Sequence, residues 1–330
     1  MGQARYTPLV RIGEGGMGEV WRGLATFPDG HAEEVAIKRV QPWLSDSPRH
    51  RTMLEDEARL GMLLRHDNIV RVFDARMQGS FIIVMEYVRG LSLAHVVSAL
   101  SAAMPVAMAL HIARELASAL THAHEAVDEA GRSLEIIHGD ISPHNVLVSA
   151  GGDVKLMDFG LARTTANVMQ RDSRHPTGKP GYMAPEVVAH RHWSQAVDLF
   201  AVGVVLWECL SGLRLFRGAT PQASMALARR CQIPALGRDD VTERLSSLLC
   251  RLLAKRPEDR PTSARALGVE LDRILSLMDH GIGRLGASAV VHRIQADQRR
   301  QRYVPKHSIP VLRPDVDSDD AITTQHRSLA

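Results

Sequence analysis

The chain has 330 residues, of which 45% are hydrophobic, 23% charged and 4% aromatic, with a formal net charge of +3. That length suits one large domain or two lobes around a sizeable core, and so small a net charge excludes a nucleic-acid binder as the first reading. Cys209, Cys231 and Cys250 show no CxxC spacing and no apolar leader opens the chain, so the expectation is a reduced, cytoplasmic protein.

In chain order, residues 9–88 read as strand-rich. "VAIKRV" (35–40) and "FIIVMEYV" (81–88) are short β-branched runs. Between them, "SPRHRTMLEDEARLGMLL" (47–64) carries Leu and Met at helical spacing, which predicts one helix against a small sheet. From about residue 93 the pattern turns helical. "PVAMALHIARELASALTHAHEA" (105–126) places Ile112, Leu116, Ala119 and Ala123 on one face, with proline near its start. "VLVSA" and "VKLMDF", joined across Gly151 and Gly152, predict a hairpin among helices. "VDLFAVGVVLWECLSG" (197–212) is too short for a membrane span and includes Asp198 and Glu208, so it predicts a buried central helix. Residues 281–330 mix "QADQRRQR" with "DVDSDD" and lose apolar periodicity, which predicts a largely disordered tail.

The chemistry-bearing residues follow the same order. "IGEGGMGEV" (12–20) offers Ile12, Gly13, Gly15, Gly18 and Val20. Its glycines sit in a strand–turn–strand context, where backbone amides can approach phosphates without side-chain clash. Lys38, in "VAIK", can reach the α- and β-phosphates, and a carboxylate must hold it. Glu57 on the following helix is preferred for that, with Glu55 as its neighbour and competitor. In "IIHGDISPHNVLVSAGGDVKLMDFG" (136–160), Asp140 would take the proton of an acceptor hydroxyl. Asn145 and Asp158 would hold Mg²⁺, with Mn²⁺ as a substitute.

These motifs, in this order, resemble those of the eukaryotic-like serine/threonine protein kinases of bacteria, from about residue 6 to 278. The likeness extends to "APE" (184–186), to Asp198 and to Arg260 in "RPEDRPTS". The insertion "DEAGRSLE" (128–135) is similar to kinases of social bacteria. The resemblance implies an α+β, bilobal fold. Residues 1–88 would form a β-rich, nucleotide-binding lobe with one helix, residues 89–280 a helical lobe with catalytic loop, activation segment and substrate platform, and 281–330 the tail. It implies that Met85 is the gatekeeper, that Glu86 to Val88 form the hinge, and that Val20, Ala36 and Leu147 enclose adenine. It further implies that Asp198 anchors the catalytic loop and that Arg260 pairs with Glu186. ATP is the implied cofactor. The implied partners are proteins with serine or threonine acceptors, and further copies of the chain for autophosphorylation.

Two departures stand out. The catalytic loop reads His138-Gly139-Asp140-Ile141-Ser142-Pro143-His144-Asn145, with Gly139 and Ser142 where the family has arginine and lysine. Lys179, in "TGKPGYMAPE", replaces the family's threonine. The expectation is a reciprocal exchange: Lys179 supplies the missing positive charge, and Ser142 takes the threonine's hydrogen bond to Asp140. A solvated loop lysine is the plainer alternative. Thr164, Thr165, Ser173 and Thr177 are candidate phosphorylation sites. Two other functions compete with an active protein kinase. One is a nucleotide-binding pseudokinase, which the presence of Lys38, Asp140, Asn145 and Asp158 disfavours. The other is a small-molecule phosphotransferase, which "HGD" with its asparagine also resembles but "APE" and Arg260 disfavour.

Overall fold

The computed structural model describes residues 4–15, 18–41, 48–159, 178–191, 193–278 and 281–302. The N-terminal lobe is a five-stranded antiparallel sheet in the order β1-β2-β3-β5-β4. Its strands are β1 (Arg5–Gly15), β2 (Gly18–Thr26), β3 (Ala32–Val40), β4 (Val72–Gln78) and β5 (Ser80–Glu86). One helix, α1 (Pro48–Leu63), packs against β4. Side chains alternate between the two faces of a strand, and the sequence uses both faces. Val35, Ile37, Ile82 and Val84 pack with Tyr6 on one side. Ala36, Val40, Ile83 and Met85 pack with Leu54 of α1 and Val70 on the other. This is why β3 and β5 read as unbroken apolar runs.

The C-terminal lobe opens with β6 (Gly90–Ser92) and α2 (Leu93–Leu100). The Ser92 hydroxyl accepts the His95 N–H and so satisfies one free donor of the first turn. Then come α3 (Val106–His124), the hairpin β7 (Val146–Ser149) and β8 (Val154–Leu156), and the short α4 (Pro185–Val188). β6, β7 and β8 form a separate three-stranded sheet. The helix α5 (Ala196–Ser211) is buried at every residue from Val197 to Leu210, as an all-round apolar helix must be. α6 (Pro221–Arg230), α7 (Glu243–Leu252) and α8 (Ala264–Leu275) follow, each capped by the serine or threonine just before it. Among the described residues no helix is long and apolar enough to cross a membrane.

The tail expectation needs correction. Residues 282–302 form a last helix, α9 (Ile282–Arg302), docked on the C-terminal lobe. Ala287, Val291 and Ile294 are buried at i, i+4 and i+7. Arg284 pairs with Asp153 at 2.6 Å and donates to the Gly151 carbonyl at 3.2 Å. Ser288 donates to the Ala150 carbonyl at 2.7 Å. Gly283 lets the helix meet α3, because a Cβ there would lie 2.4 Å from the Ala107 carbonyl oxygen. Three buried residues in a glycine-containing, arginine-rich stretch make a weak periodic signal, and that is why the sequence reads as a tail. Residues 303–330 lie outside the described residues.

Candidate active site

The cleft between the lobes gathers side chains from segments far apart in the chain. Lys38 projects from β3, and its ammonium lies 3.0 Å from Asp158 Oδ1, 120 residues further on. Asp158 follows β8 with φ of +69°, a left-handed conformation that an L-residue adopts at a cost. Glu57 lies on α1, and its side chain is outside the described residues.

The catalytic-loop segment is a closed network. Asp140 Oδ2 accepts the Asn145 amide at 2.9 Å, and the same amide donates to the Asp140 carbonyl at 2.8 Å. With both amide hydrogens engaged, Asn145 Oδ1 is left as an acceptor facing no donor of its own residue. Asp140 Oδ1 accepts the backbone N–H of Lys179 at 2.9 Å. Burial raises the Asp140 carboxyl above its ordinary range, and the Asp158 charge adds to the rise. His138, the Asn145 hydrogen bond and the Lys179 N–H oppose it. His138 accepts the Asp140 N–H at Nδ1 (3.2 Å), so its Nε2 carries the proton and faces the Met157 carbonyl at 3.2 Å. Its ring meets Phe159 edge-on, with centroids 4.6 Å apart.

Asp198 of α5 holds this loop from beneath. It is fully buried and accepts the N–H of His138 and of Gly139, each at 2.9 Å, together with His124 Nε2 at 2.9 Å. Burial alone would raise its carboxyl, but the His124 bond, the nearby histidines and the Gly139 N–H together hold it below the usual range. Gly139 has φ of +74°, a conformation glycine adopts without strain, which gives the arginine-to-glycine departure a local structural reason. Arg260 grips Glu186 with two hydrogen bonds of 2.6 and 2.8 Å, both side chains almost wholly buried, and its guanidinium also donates to the carbonyls of Ala254 and Ala196.

An apolar slot lies above. β3 and β5 pair Ala36 with Met85. Val20, Val88 and Leu147 pack on the same cluster, with Met85 buried within it. Behind Met85 is a cavity of about 30 Å³ lined by Lys38, Ala58, Gly61, Val70 and Phe159 among others. The Glu86 carboxylate is turned to Lys155 at 3.0 Å and to the Arg71 N–H at 3.3 Å. Ile12 is about half exposed at the lip, on the same strand as Gly13 and Gly15.

One half of the expected exchange is corrected. Ser142 is wholly buried and its hydroxyl finds no hydrogen-bond partner among the described residues. Both Asp140 oxygens already take N–H donors, and the bond expected from Ser142 is made by the Lys179 backbone instead. Lys179 meets Asp140 through its backbone N–H, and among the described residues its ammonium makes no ion pair with that carboxylate. Burial lowers its ammonium below the ordinary lysine value, against the pull of Asp140. Thr164, Thr165, Ser173 and Thr177 lie outside the described residues.

Sequence reasoning missed three contacts. His124 is the third donor to Asp198. Lys155 ties back Glu86. Glu208, 1% exposed at its side chain, accepts Tyr182 Oη at 2.6 Å, Arg214 Nε at 3.1 Å and the Leu215 N–H at 3.1 Å. The one signal for the last was a glutamate inside an otherwise apolar helix, which must find partners when buried.

The protein kinase domain family matches residues 6–271 of this chain. The chain is 31% identical over 313 residues to the tyrosine-protein kinase MasK of Myxococcus xanthus, covering 93% of this chain and 48% of that protein. It is 30% identical to the serine/threonine-protein kinase drp72 of Corynebacterium efficiens, over 84% of this chain and 51% of that one. It is 31% identical to the serine/threonine-protein kinase pkn3 of Myxococcus xanthus, over 82% and 50%. The chain thus spans about half the length of these curated relatives.

Proposed function

Because this chain belongs to the protein kinase family, we propose that it transfers the γ-phosphate of ATP to serine or threonine hydroxyls of proteins. The observation that carries this reading is the convergence of Lys38, Asp140, Asn145 and Asp158 on one cleft beneath an apolar slot. In this reading adenine enters between Val20, Ala36 and Leu147 and its edge meets the Glu86–Val88 backbone, while the Glu86 side chain is held aside by Lys155 and its N–H by the Arg71 carbonyl. The glycines of β1 and β2 cover the phosphates, and Lys38, held by Glu57, neutralises their charge. Asp140 orients the acceptor hydroxyl and takes its proton, since its carboxylate is fixed by Asn145 and Lys179 in one rotamer. The Asp158 carboxylate and the free Asn145 Oδ1 are hard oxygen donors suited to Mg²⁺ or Mn²⁺, which would screen phosphate charge during transfer. Lys179 supplies the positive charge that Ser142 cannot.

A second reading, transfer to tyrosine, is favoured by Ser142 and Lys179, which remove the lysine and threonine that accompany serine/threonine transfer in the resemblance. It is also favoured by the printed name of one relative, a tyrosine-protein kinase. One experiment separates the readings. The protein is incubated with radiolabelled ATP, Mg²⁺ and generic protein substrates, beside Lys38→Met, and labelled protein is hydrolysed to its phosphoamino acids. Phosphoserine or phosphothreonine that vanishes in Lys38→Met is the expected result; phosphotyrosine supports the second reading. Nucleotide binding without labelled protein, or label on small amines only, overturns both.

A further inference from the structure

The two oxygen donors assigned to the metal sit at the two ends of one hairpin. Asn145 directly precedes β7, and Asp158 is the second residue after β8. The Met157 N–H donates to the Asn145 carbonyl at 2.9 Å and closes the hairpin at that end. The two strands are tied to different parts of the chain. β7 pairs with β6 in the C-terminal lobe. β8 is held by the residues that lead into β4 of the N-terminal lobe. The Leu156 N–H donates to the Asn68 carbonyl at 2.8 Å, and the Leu156 carbonyl accepts the Val70 N–H at 2.9 Å. The Asn68 amide also donates to the Val154 carbonyl at 2.9 Å. Any movement of one lobe against the other would therefore pull β7 and β8, and with them Asn145 and Asp158, in different directions. The ladder between the strands has three residue pairs, and a two-stranded hairpin of that kind is marginal by itself.

The strands are joined at the far end of the hairpin, and α9 grips that turn on both sides. Ser288 donates to the Ala150 carbonyl at 2.7 Å and Arg284 to the Gly151 carbonyl at 3.2 Å, on the side that leaves β7. The same guanidinium meets the Asp153 carboxylate at 2.6 Å, on the side that enters β8. His111 of α3 holds the Gly152 carbonyl at 2.9 Å. At its other end α9 reaches α2, where Gln298 Nε2 and His95 Nε2 are 2.7 Å apart. Ala94, beside His95, donates its N–H to the Pro143 carbonyl of the catalytic loop at 2.8 Å. Ala287, Val291 and Ile294 form the buried face that docks the helix, so Arg284 and Ser288 are left to act on the turn.

From this arrangement we infer that Arg284 and Ser288 of α9 are positioning residues for the metal site: by clamping both sides of the β7–β8 turn they fix the spacing of Asn145 and Asp158. The inference rests on the reading of those two side chains as the Mg²⁺ ligands. α9 adds no group to the reaction. It keeps two donors at one separation, which matters for a small cation that demands near-ideal geometry.

The test uses the full chain carrying Arg284→Ala and Ser288→Ala together, a change that leaves the buried face of α9 intact. Binding of a non-hydrolysable ATP analogue is measured at equilibrium, first without divalent cation and then with Mg²⁺ titrated. Hydrogen exchange of the Met157 amide is followed in the metal-free protein. The Mg²⁺ concentration at half effect should rise by about three- to tenfold, while the metal-free affinity stays within about twofold. The Met157 amide should exchange faster, by a larger factor than the amides of the buried α5, whose exchange reports the stability of the lobe as a whole. Arg284→Lys with Ser288 intact keeps a cation for Asp153 and should retain most of the Mg²⁺ response. If the double variant does not fold, Ser288→Ala alone takes its place, with a smaller shift in the same direction. An unchanged Mg²⁺ requirement in a folded variant overturns the inference. So does an equal loss of affinity with and without Mg²⁺, or an exchange increase spread evenly over α5 and the hairpin, because either marks α9 as a support of the fold alone. A wild-type protein whose analogue binding ignores Mg²⁺ is a different failure, that of the metal-ligand reading itself, and the inference falls with it.

Discussion

Removing α9 should destabilise the protein, contrary to what a disordered tail would do. The perturbation is a chain that ends at Met278. It loses the burial of Val291 and Ile294, each about 1.5–3 kcal/mol, and of the Ala287 methyl, about 0.8 kcal/mol. The gross loss is roughly 4–7 kcal/mol, an upper figure because unfolded chains already bury some surface. The entropy of ordering the 21 helical residues is largely offset by the helix's own backbone hydrogen bonds, and the remainder lowers the net figure below the gross one. The half-exposed Arg284–Asp153 pair contributes under about 1 kcal/mol. A net loss of about 2–4 kcal/mol corresponds to a fall in melting temperature of roughly 5–15 °C for a domain of this size. Differential scanning calorimetry of the full and shortened chains measures it, and Val291→Ala should give a smaller fall in the same direction. A shortened chain that melts within about 2 °C of the full one would refute the reasoning, because the contacts of α9 with α3 and the β7–β8 hairpin would then hold no net free energy.

Lys179→Met should cut the catalytic rate about a hundredfold, on the order of 3 kcal/mol, with little change in nucleotide affinity; single-turnover transfer and equilibrium nucleotide binding separate the two, and a wild-type rate would leave Lys179 as a solvated loop residue. Arg260→Met strands Glu186 without its partner and should cost about 3–5 kcal/mol in chemical denaturation, whereas Arg260→Met with Glu186→Leu should cost clearly less. Burial lifts the Asp140 carboxyl above the ordinary aspartate value of about 3.9, so its base form is lost as pH falls through that raised value. The acid limb of the kcat/KM profile should accordingly lie above the usual aspartate range and be absent from the residual activity of Asp140→Asn. A limb at or below that range, in protein still folded by circular dichroism, speaks against the assignment.

What the sequence shows well is what is local. The alternation of Val35, Ala36 and Ile37 between two apolar faces gives β3 from six letters, and Asp140 with Asn145 is one turn whose geometry is fixed within five residues. The apolar run that becomes α5 declares its burial directly. Less legible is anything decided by packing between distant segments. Whether α9 docks depends on Gly283 meeting Ala107 and on Arg284 meeting Asp153, contacts that no periodicity reveals. The donor to Asp140 could not be chosen from sequence either. Side-chain chemistry pointed to the Ser142 hydroxyl, while the bond is made by a backbone N–H, which every residue but proline carries. Tyr182, Arg214 and Glu208 are each ordinary in sequence and become one buried hydrogen-bonded group only when the segment before α4 is brought against α5 and the residues after it.

The small space behind Met85 has a practical meaning. Met85 is the partition between the apolar slot and that cavity, and it is an unbranched side chain on a strand whose backbone pairing does not depend on it. Shortening it to alanine would merge the two spaces while leaving Ala36 and Ile83 in place. Under the proposed function, a purine nucleotide enlarged at its exocyclic amine, too bulky for proteins that keep the partition, would then be accepted by the altered protein alone. If the chain transfers phosphate to proteins as proposed, a label carried on that enlarged nucleotide in a cell extract would mark only its acceptors, and the flanking residues of the marked sites could be read directly.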